Sequence, residues 1–275
     1  MNNYNDQEQS NYTPKLYRET PFDLRTKTLK TKINNQPPPI RNNSAVKKSS
    51  ESHFLTEKNK NLFLKFAPHL EKVTFTGNDS IYQSGDKIDY VYFPQSSIFS
   101  EFQILEDGAT IEIAMTGNEG IIGLSSILHT NPATNWTQIS APGTALRLKS
   151  KILREEANTN RELQQILYGC VGSYIKQISQ RLVCNKYHLL EKRLCSWLLM
   201  MQDRFKGTKL PLTQEQMARI LGANRPSVSN IAHSLRVAEI IDYRRGSLII
   251  RNRTKLESRA CRCFAEIDEN LEKIF

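Results

Sequence analysis

The sequence lacks long apolar runs and has little cysteine. No stretch of its 275 residues reaches the roughly 18 uninterrupted apolar residues that a membrane span needs. The first thirty residues also lack the apolar core of a secretory signal, so we expect a cytoplasmic protein without a membrane partner. The five cysteines are an odd number and all lie in the second half of the chain, which argues against a disulfide framework.

Signatures of enzymes and metal sites are also missing. We find no nucleophile motif, phosphate loop or paired-carboxylate signature, so the sequence does not indicate an enzyme. The five histidines show no metal-ligand spacing, and no metal or other cofactor is predicted. Cys261 and Cys263 could form half of a metal site or a thiol switch. Without a nearby second pair we interpret them as structural thiols, and Cys170 and Cys184 as packing residues.

The charge of the chain is unevenly distributed. Lys and Arg number 38 against 28 Asp and Glu, giving a net charge of +10. Residues 1–50 carry +5 (9 basic, 4 acidic), residues 51–150 carry −4 (7 and 11), and residues 151–275 carry +9 (22 and 13). The last part would therefore attract a polyanion such as nucleic acid, although surplus cations can also serve solubility alone.

Residues 1–52 are predicted to form a disordered basic arm. They hold eight Asn and five of the eleven Pro but no Gly, and their apolar residues follow no period. We favour a tolerated tail over a segment that adds phosphate contacts.

Residues 53–150 change from a short helical entry, ending before Pro68, to a strand-rich pattern. Turn residues such as Ser84-Gly85-Asp86 and Glu106-Asp107-Gly108 separate short runs of β-branched and aromatic residues. The predicted strands are 73–75, 80–83, 89–93, 98–104, 110–115, 139–141 and 145–148. Many short strands at this spacing indicate an antiparallel sandwich or barrel.

Residues 151–185 are dominated by a predicted long helix. Ser150 could cap a short helix, and the long one starts near Asn160, with apolar residues every three or four positions. Such a stripe could be the core of an adjacent domain or a dimer seam, and we favour the seam. The predicted dimer contacts are Leu163, Leu167, Cys170, Val171, Tyr174, Ile178 and Leu182.

The most specific motif lies between Thr213 and Leu235. Thr213 and Gln216 have the spacing of a capping box, and Gly222 has the position of a left-handed helix end. Asn224 can cap a second helix that accepts Pro226 in its first turn. Two short helices joined by a tight glycine turn predict a helix-turn-helix.

The exposed start of the second helix offers side chains suited to DNA bases. Arg can bind the O6 and N7 acceptors of guanine, Asn can pair with adenine, and Ser can reach bases or phosphates. Two strands with Arg244-Arg245-Gly246 at their junction resemble a wing that contacts phosphates or the minor groove. The predicted DNA contacts are Thr213, Gln214, Asn224, Arg225, Pro226, Ser227, Ser229, Asn230, Arg244 and Arg245.

Together, the motif Arg225-Pro-Ser-Val-Ser-Asn230, the basic wing, the long helix and the strand-rich half resemble the Crp/Fnr superfamily of bacterial transcription regulators. The resemblance covers about residues 60–260. It implies an α+β fold with an antiparallel, jelly-roll-like β-roll effector domain (53–150), a dimerisation helix region (151–185), a winged helix-turn-helix DNA-binding domain (186–263) and a tail (264–275). It also implies a homodimer that binds palindromic operators, with RNA polymerase as a further expected partner.

The resemblance does not extend to the cyclic-nucleotide cassette. Members that bind cyclic nucleotides use a Gly-Glu pair and a following Arg, but no Arg lies between Ile111 and Leu146 here. A buried phosphate without a cation would lose charge-assisted bonds of about 1.5 to 3 kcal/mol each, so cyclic AMP in the usual mode is not expected. Glu119 and Trp136 are candidates for another effector, with packing the favoured role of Trp136.

Two alternatives remain open from the sequence. The winged helix could contact protein instead of DNA, making the chain a ligand-sensing or interaction module. A second alternative keeps DNA binding and makes Cys261 and Cys263 a redox switch.

Overall fold

The structure, a computed structural model, describes residues 52, 54, 60–77, 79–128, 132–205, 207, 209–244 and 246–271. The predicted basic arm, apart from Ser52, and the end of the predicted tail lie outside these residues. The described elements all belong to the compact unit Pro38–Phe275.

The first half forms two antiparallel sheets. Its strands are β1 (Glu71–Phe75), β2 (Ser80–Tyr82), β3 (Tyr90–Pro94), β4 (Ile98–Ile104), β5 (Thr110–Thr116), β6 (Trp136–Ala141) and β7 (Gly143–Lys149). One sheet has the order β1-β7-β3 and the other β2-β6-β4-β5. This confirms the predicted β-roll. Strand β6 begins three residues before the predicted start because Trp136 continues the ladder opposite Phe102 of β4.

Turn glycines and aromatic packing explain this arrangement. Gly85 and Gly108, both in predicted turns, have φ of 94° and 85°, a region that side chains other than glycine rarely adopt. Between the sheets, Phe75 contacts Tyr92 and Phe99 edge to face, with ring centroids 5.8 and 5.4 Å apart. The strands therefore enclose an aromatic core of their own.

Helices cover the roll and lead away from it. Helix α1 (Lys60–Phe66) precedes the strands, and α2 (Ser150–Thr159) and α3 (Arg161–Tyr187) follow them. Asn160 accepts a hydrogen bond from the Leu163 N–H at 3.1 Å, so the predicted start of the long helix is confirmed. The predicted capping role of Ser150 is wrong. Its hydroxyl donates to the carbonyl of Ile88 at 2.7 Å, and Ser150 is itself the first helical residue.

The second half is mainly helical with one small sheet. It comprises α4 (Leu190–Arg204), β8 (Leu210–Pro211), α5 (Gln214–Leu221), α6 (Arg225–Val237), β9 (Ile241–Arg244), β10 (Ser247–Ile250), α7 (Arg253–Arg259) and α8 (Cys263–Leu271). The sheet order is β8-β10-β9. Trp197, fully buried, lies in a core that also includes Ile98, Phe102 and Met115 of the roll, so the two halves share one hydrophobic core.

Within the described residues, none of the helices combines the length and the apolar character needed to cross a bilayer.

At Gly143 the backbone of the roll packs against another backbone segment and leaves no room for a side chain. A Cβ atom at this position would lie 2.5 Å from the backbone of Ser96 and Ser97. We expect Gly143→Ala to lower the free energy of unfolding by about 1 to 3 kcal/mol, because backbone atoms must move to admit the methyl group. Urea denaturation measures the change. Gly77→Ala is the control, since its Cβ would meet no atom within 4 Å. Equal midpoints for the two variants would contradict the steric argument.

Candidate nucleic-acid interface

The helix-turn-helix is built by the capping pattern that the sequence predicts. The Thr213 hydroxyl accepts from the Gln216 N–H at 3.1 Å, and the Gln216 side chain accepts from the Thr213 N–H at 2.7 Å. This reciprocal pair starts α5. Gly222 ends α5 with φ of 57°, which turns the chain sharply toward α6.

Helix α6 has a buried face and an exposed face. Asn224 caps it by accepting from the Ser227 N–H at 2.9 Å, and Val228, Ala232 and Leu235 are buried. Ile231, although apolar, is only half-buried, because the smaller Ala232 occupies the buried face. The candidate DNA contacts lie away from this core. Asn224, Arg225, Pro226 and Asn230 are exposed, and Ser227 and Ser229 are half-buried.

The charges at the N-terminus of α6 favour the binding of an anion. Its first turn contains no acidic residue, so nothing on it offsets Arg225 or the partial positive charge of the helix end. At the preceding helix, Thr213 is exposed and Gln214 half-buried. These side chains together can donate hydrogen bonds to phosphates and base edges.

The predicted wing is the hairpin of β9 and β10. Gly246 has φ of 77° at its tip. The side chain of Arg244 is 84% exposed and lies 3.5 Å from Asp242. Asp242 also accepts from Arg251 at 3.0 Å, and these cations hold the pKa of its carboxyl below the usual value. Arg245, the other predicted wing contact, lies outside the described residues.

The first helix of the motif packs on the roll. Arg219 of α5 donates to Gln138 at 2.8 Å, and its guanidinium lies 5.4 Å from the ring centroid of Phe102. A Cβ atom on Gly222 would come within 3.2 Å of Ile111 in β5. The position of the helix-turn-helix is therefore set by the surface of the β-roll.

Two buried ion pairs join the roll to the helices that follow it. Glu112 of β5 is fully buried and binds Arg181 of α3 at 2.5 Å and the Trp197 indole N–H of α4 at 2.8 Å. Burial raises the pKa of Glu112, and the adjacent Arg181 opposes that shift. Glu119 pairs with Arg204 of α4 at 2.6 Å.

The candidate effector residues do not meet in one site. Glu119 borders a cavity of about 30 Å³ between the roll and α3, also lined by Ser173, Tyr174 and Gln177. That volume holds about two water molecules. Trp136 does not line this cavity and packs against the shared core instead. The carboxylate of Glu119 is engaged by Arg204 and by the Gly117 N–H, at 3.0 Å.

The predicted dimer contacts on α3 divide between two environments. Leu163, Leu167 and Cys170 are buried in the core of the same chain, against the roll and α2. Tyr174 is half-buried and accepts from Asn135 at 3.0 Å, and Val171 and Ile178 are half-buried. Of the predicted set, Leu182 is exposed, at 71%. A different apolar row lies open along α3 and at its end, consisting of Tyr168, Ile175, Leu182 and Leu189.

The structure also brings Cys184 and His188 next to Cys261 and Cys263, the pair that the sequence had already linked. The ligand atoms of Cys184, His188, Cys261 and Cys263 all lie within 4.8 Å of one another. The absence of a second pair near Cys261 and Cys263 had argued against a metal site. The spacing Cys184-x-x-x-His188, one helical turn, was the overlooked signal in the sequence.

Two family models match the chain. Residues 192–259 match a Crp-like helix-turn-helix domain, and residues 72–160 match a cyclic nucleotide-binding domain. The global nitrogen regulator of Nostoc sp. is 23% identical over 194 residues, 67% of this chain and 86% of that protein.

The fold is also similar to solved structures. FixK2 from Bradyrhizobium japonicum aligns with a TM-score of 0.60 at 16% identity, covering 70% of this chain and 98% of that one. A CRP-family transcriptional regulator from Thermus thermophilus aligns with a TM-score of 0.59 at 15% identity, covering 68% and 96%.

The carboxyl group of Glu101, which faces α3, gives a pH prediction. Desolvation raises the pKa of Glu101 from 4.5 to about 7, and a hydrogen bond with Tyr174 partly opposes the shift. The folded chain therefore holds this proton more tightly than the unfolded chain. The stabilisation that this protonated carboxyl gives the folded chain is complete below about pH 4.5 and is lost as the pH rises through 7.

We expect the free energy of unfolding of Glu101→Gln to fall less steeply than that of the wild type between about pH 4.5 and pH 7, with a difference of roughly 1 to 3 kcal/mol over that range. Urea midpoints at several pH values measure it, with the exposed Glu106→Gln as the control. A wild-type slope retained in Glu101→Gln would show that this carboxyl does not titrate as described.

Proposed function

We propose that this chain, which belongs to the Crp/Fnr family of DNA-binding transcription regulators, reads a palindromic operator as a homodimer. The observation that carries the proposal is the free face of α6. It presents Arg225 and Asn230 to solvent at a helix start without acidic residues, on a helix whose opposite face is fully packed. We further propose that the protein acts in the cytoplasm, where it binds DNA and contacts RNA polymerase.

In this proposal the exposed start of α6 enters the major groove. Arg225 supplies the fork of donors that matches the O6 and N7 atoms of guanine, and Asn230 is suited to adenine. Ser227 and Ser229 reach base edges or phosphates from the same face. Asn224 and Pro226 shape the helix entry, Thr213 and Gln214 contact phosphates, and Arg244 and Arg245 of the wing contact the flanking backbone.

The dimer is proposed to form along the open row Tyr168, Ile175, Leu182 and Leu189. Tyr168, Ile175 and Leu182 recur every seventh position on α3, the period that keeps one helix face against a partner helix in a coiled coil, and Leu189 follows just beyond the end of that helix. The half-buried Val171 and Ile178 flank the row, whereas Leu163, Leu167 and Cys170 are already covered by their own chain. Pairing along this row would give the dimer two copies of α6, one for each half-site of a palindrome.

We infer that the roll does not take a cyclic nucleotide in the family's usual manner. Residues 112–145 contain no Arg to pair with a cyclic phosphate. The Glu119 carboxylate that would face a ribose is held by Arg204, and the adjacent cavity has room for about two waters. A ligand of this site would have to open the Glu119–Arg204 pair.

Arg225→Ala tests the base contact. We expect the variant to lose about 1 to 3 kcal/mol of discrimination at one base pair of each half-site, because its bidentate contact is removed. Selection from random DNA, followed by affinity measurements on the selected palindrome, gives the position and the size of the loss. A sequence preference unchanged from the wild type would exclude Arg225 as a base-reading residue.

Arg244→Ala is the matched control for that experiment. A phosphate contact carries no sequence information, so this variant should weaken all sequences alike and reduce the slope of log affinity against log salt by about 1. The Arg225 and Arg244 variants therefore separate base readout from backbone contact.

Ile175→Glu with Leu182→Glu tests the dimer seam. Burying carboxylates without partners costs on the order of several kcal/mol each, so we expect the dimer dissociation constant to rise at least about 100-fold. Light scattering measures the mass, and circular dichroism checks that the chain stays folded. Gln165→Glu, an exposed position off the row, is the control. A double variant that stays dimeric at micromolar concentration would remove this row from the interface.

A further inference from the structure

Four potential metal ligands meet where the long helix ends. Cys184 lies in the last turn of α3, and His188 is the residue directly after that helix. Cys261 precedes α8 and Cys263 begins it. The N–H of His188 donates to the carbonyl of Cys184 at 3.1 Å, which fixes the two as neighbours one helical turn apart. Two chain segments separated by more than seventy residues thus each contribute a pair of ligands.

The distances between the ligand atoms match a small tetrahedron. The sulfurs of Cys184 and Cys261 are 3.5 Å apart, and the sulfur of Cys263 is 3.4 Å from Nδ1 of His188. All four ligand atoms lie within 4.8 Å of one another. Zn–S bonds of about 2.3 Å place the sulfurs of a tetrahedral site about 3.8 Å apart. The longest separations need to shorten by about 1 Å at most to meet that geometry.

The three thiols are set apart from the aliphatic cores. Cys184, Cys261 and Cys263 are buried in a cluster of their own. The other two cysteines behave differently, since Cys170 packs in the core of the roll and Cys195 in the shared core. Packing alone would not require three sulfurs and an imidazole to converge, whereas a metal ion would.

Polar groups around the cluster suit thiolate ligands. The Gln180 amide nitrogen lies 3.1 Å from the sulfur of Cys263, and the Ser196 hydroxyl lies 2.9 Å from the sulfur of Cys261. Arg193 is close enough to Cys184 and Cys261 to interact electrostatically, and its buried Nε has no hydrogen-bond partner among the described residues. Three thiolates and a divalent ion leave one negative charge, which this guanidinium can compensate.

We propose that Cys184, His188, Cys261 and Cys263 bind one zinc ion as a structural site. Three sulfur ligands with one imidazole in a closed tetrahedron is a typical structural zinc set. The compactness of the cluster favours a single ion over an iron–sulfur cluster, whose several irons hold their sulfur ligands further apart. An open cleft lined by Gln180, His188, Lys192 and Glu266 gives an entry path.

The ion would fasten the C-terminal helices to the end of the long helix. His188 lies at the junction of α3 and α4, where the helix that carries the dimer row gives way to the DNA-binding half. Cys261 and Cys263 lie between α7 and α8, so metal binding would couple the folding of this last segment to that junction. The inference does not depend on DNA binding, because the metal is measured on the free protein.

The test is the metal content of the full chain, purified under reducing conditions. We expect about one zinc per chain by elemental analysis, the stoichiometry of a single four-ligand site. After removal of zinc, added Co²⁺ should give the d–d bands of a tetrahedral ion and a sulfur-to-cobalt charge-transfer band. Cys263→Ser and His188→Ala should lose zinc, and Cys195→Ala, a buried cysteine outside the cluster, should retain it.

A positioning role for Gln180 gives a second readout that does not depend on removing a ligand. Gln180→Leu should keep the zinc stoichiometry but weaken zinc affinity by about 10- to 100-fold, the usual effect of removing a hydrogen bond to a ligand. Competition with a chelator measures this change.

Any of three results would overturn the proposal. One is a folded, reduced wild-type chain that contains no zinc and shows no sulfur-to-cobalt band on adding Co²⁺. Another is a chain whose mass is two hydrogens lower and whose peptide map joins Cys184 to Cys261, which would identify the pair as a disulfide. Equal zinc loss in Cys195→Ala and Cys263→Ser would likewise contradict the assignment, since it would place the ion outside the cluster.

Discussion

The buried carboxylate of Glu112 is the constraint that joins the parts of this molecule. Removing a carboxylate from water costs several kcal/mol unless close hydrogen bonds and an opposite charge replace the solvent. Glu112 obtains them from Ser100 at 2.5 Å, from Arg181 and from the indole of Trp197. These donors lie on β4, α3 and α4. The charge is therefore satisfied only when the roll, the long helix and the first helix of the DNA-binding half come together in one arrangement.

This geometry limits how a signal could pass from the roll to the DNA-binding half. Arg204 of α4 is held by Glu119, and α5 rests on β5 at Gly222 and Ile111. The roll thus contacts both α4 and α5 through side chains with defined partners. Because a buried ion pair is costly to break and leave unpaired, a ligand that displaced β5 would have to carry α4 with it or provide new partners. The two ion pairs are the elements that such a change would act upon.

The sequence predicts best where a feature is encoded locally. The capping box of Thr213 and Gln216, the left-handed Gly222 and the turn glycines of the roll each depend on a few neighbouring residues, and all are present in the structure. The faces of α3 are harder to assign, because a stripe that repeats every three or four residues does not reveal which neighbour covers it. Leu163 and Leu167 are buried against the roll. Ile175 and Leu182, seven residues apart, remain exposed in the open row.

Features that depend on residues far apart in the chain cannot be predicted from local sequence patterns. The thiol and imidazole cluster needs the α3 end and the segment before α8 to meet, and only the tertiary fold shows it. The C-terminal end of α3 would then make two different contacts. Successive residues in a helix differ by about 100° in direction, so Leu182 and Cys184 point to nearly opposite sides. The open row can face a partner helix while Cys184 faces the C-terminal segment, and neither contact obstructs the other. A bound ion would hold this last turn from the side opposite Leu182, so that Leu182 is carried by a helix end that is fixed on its other face.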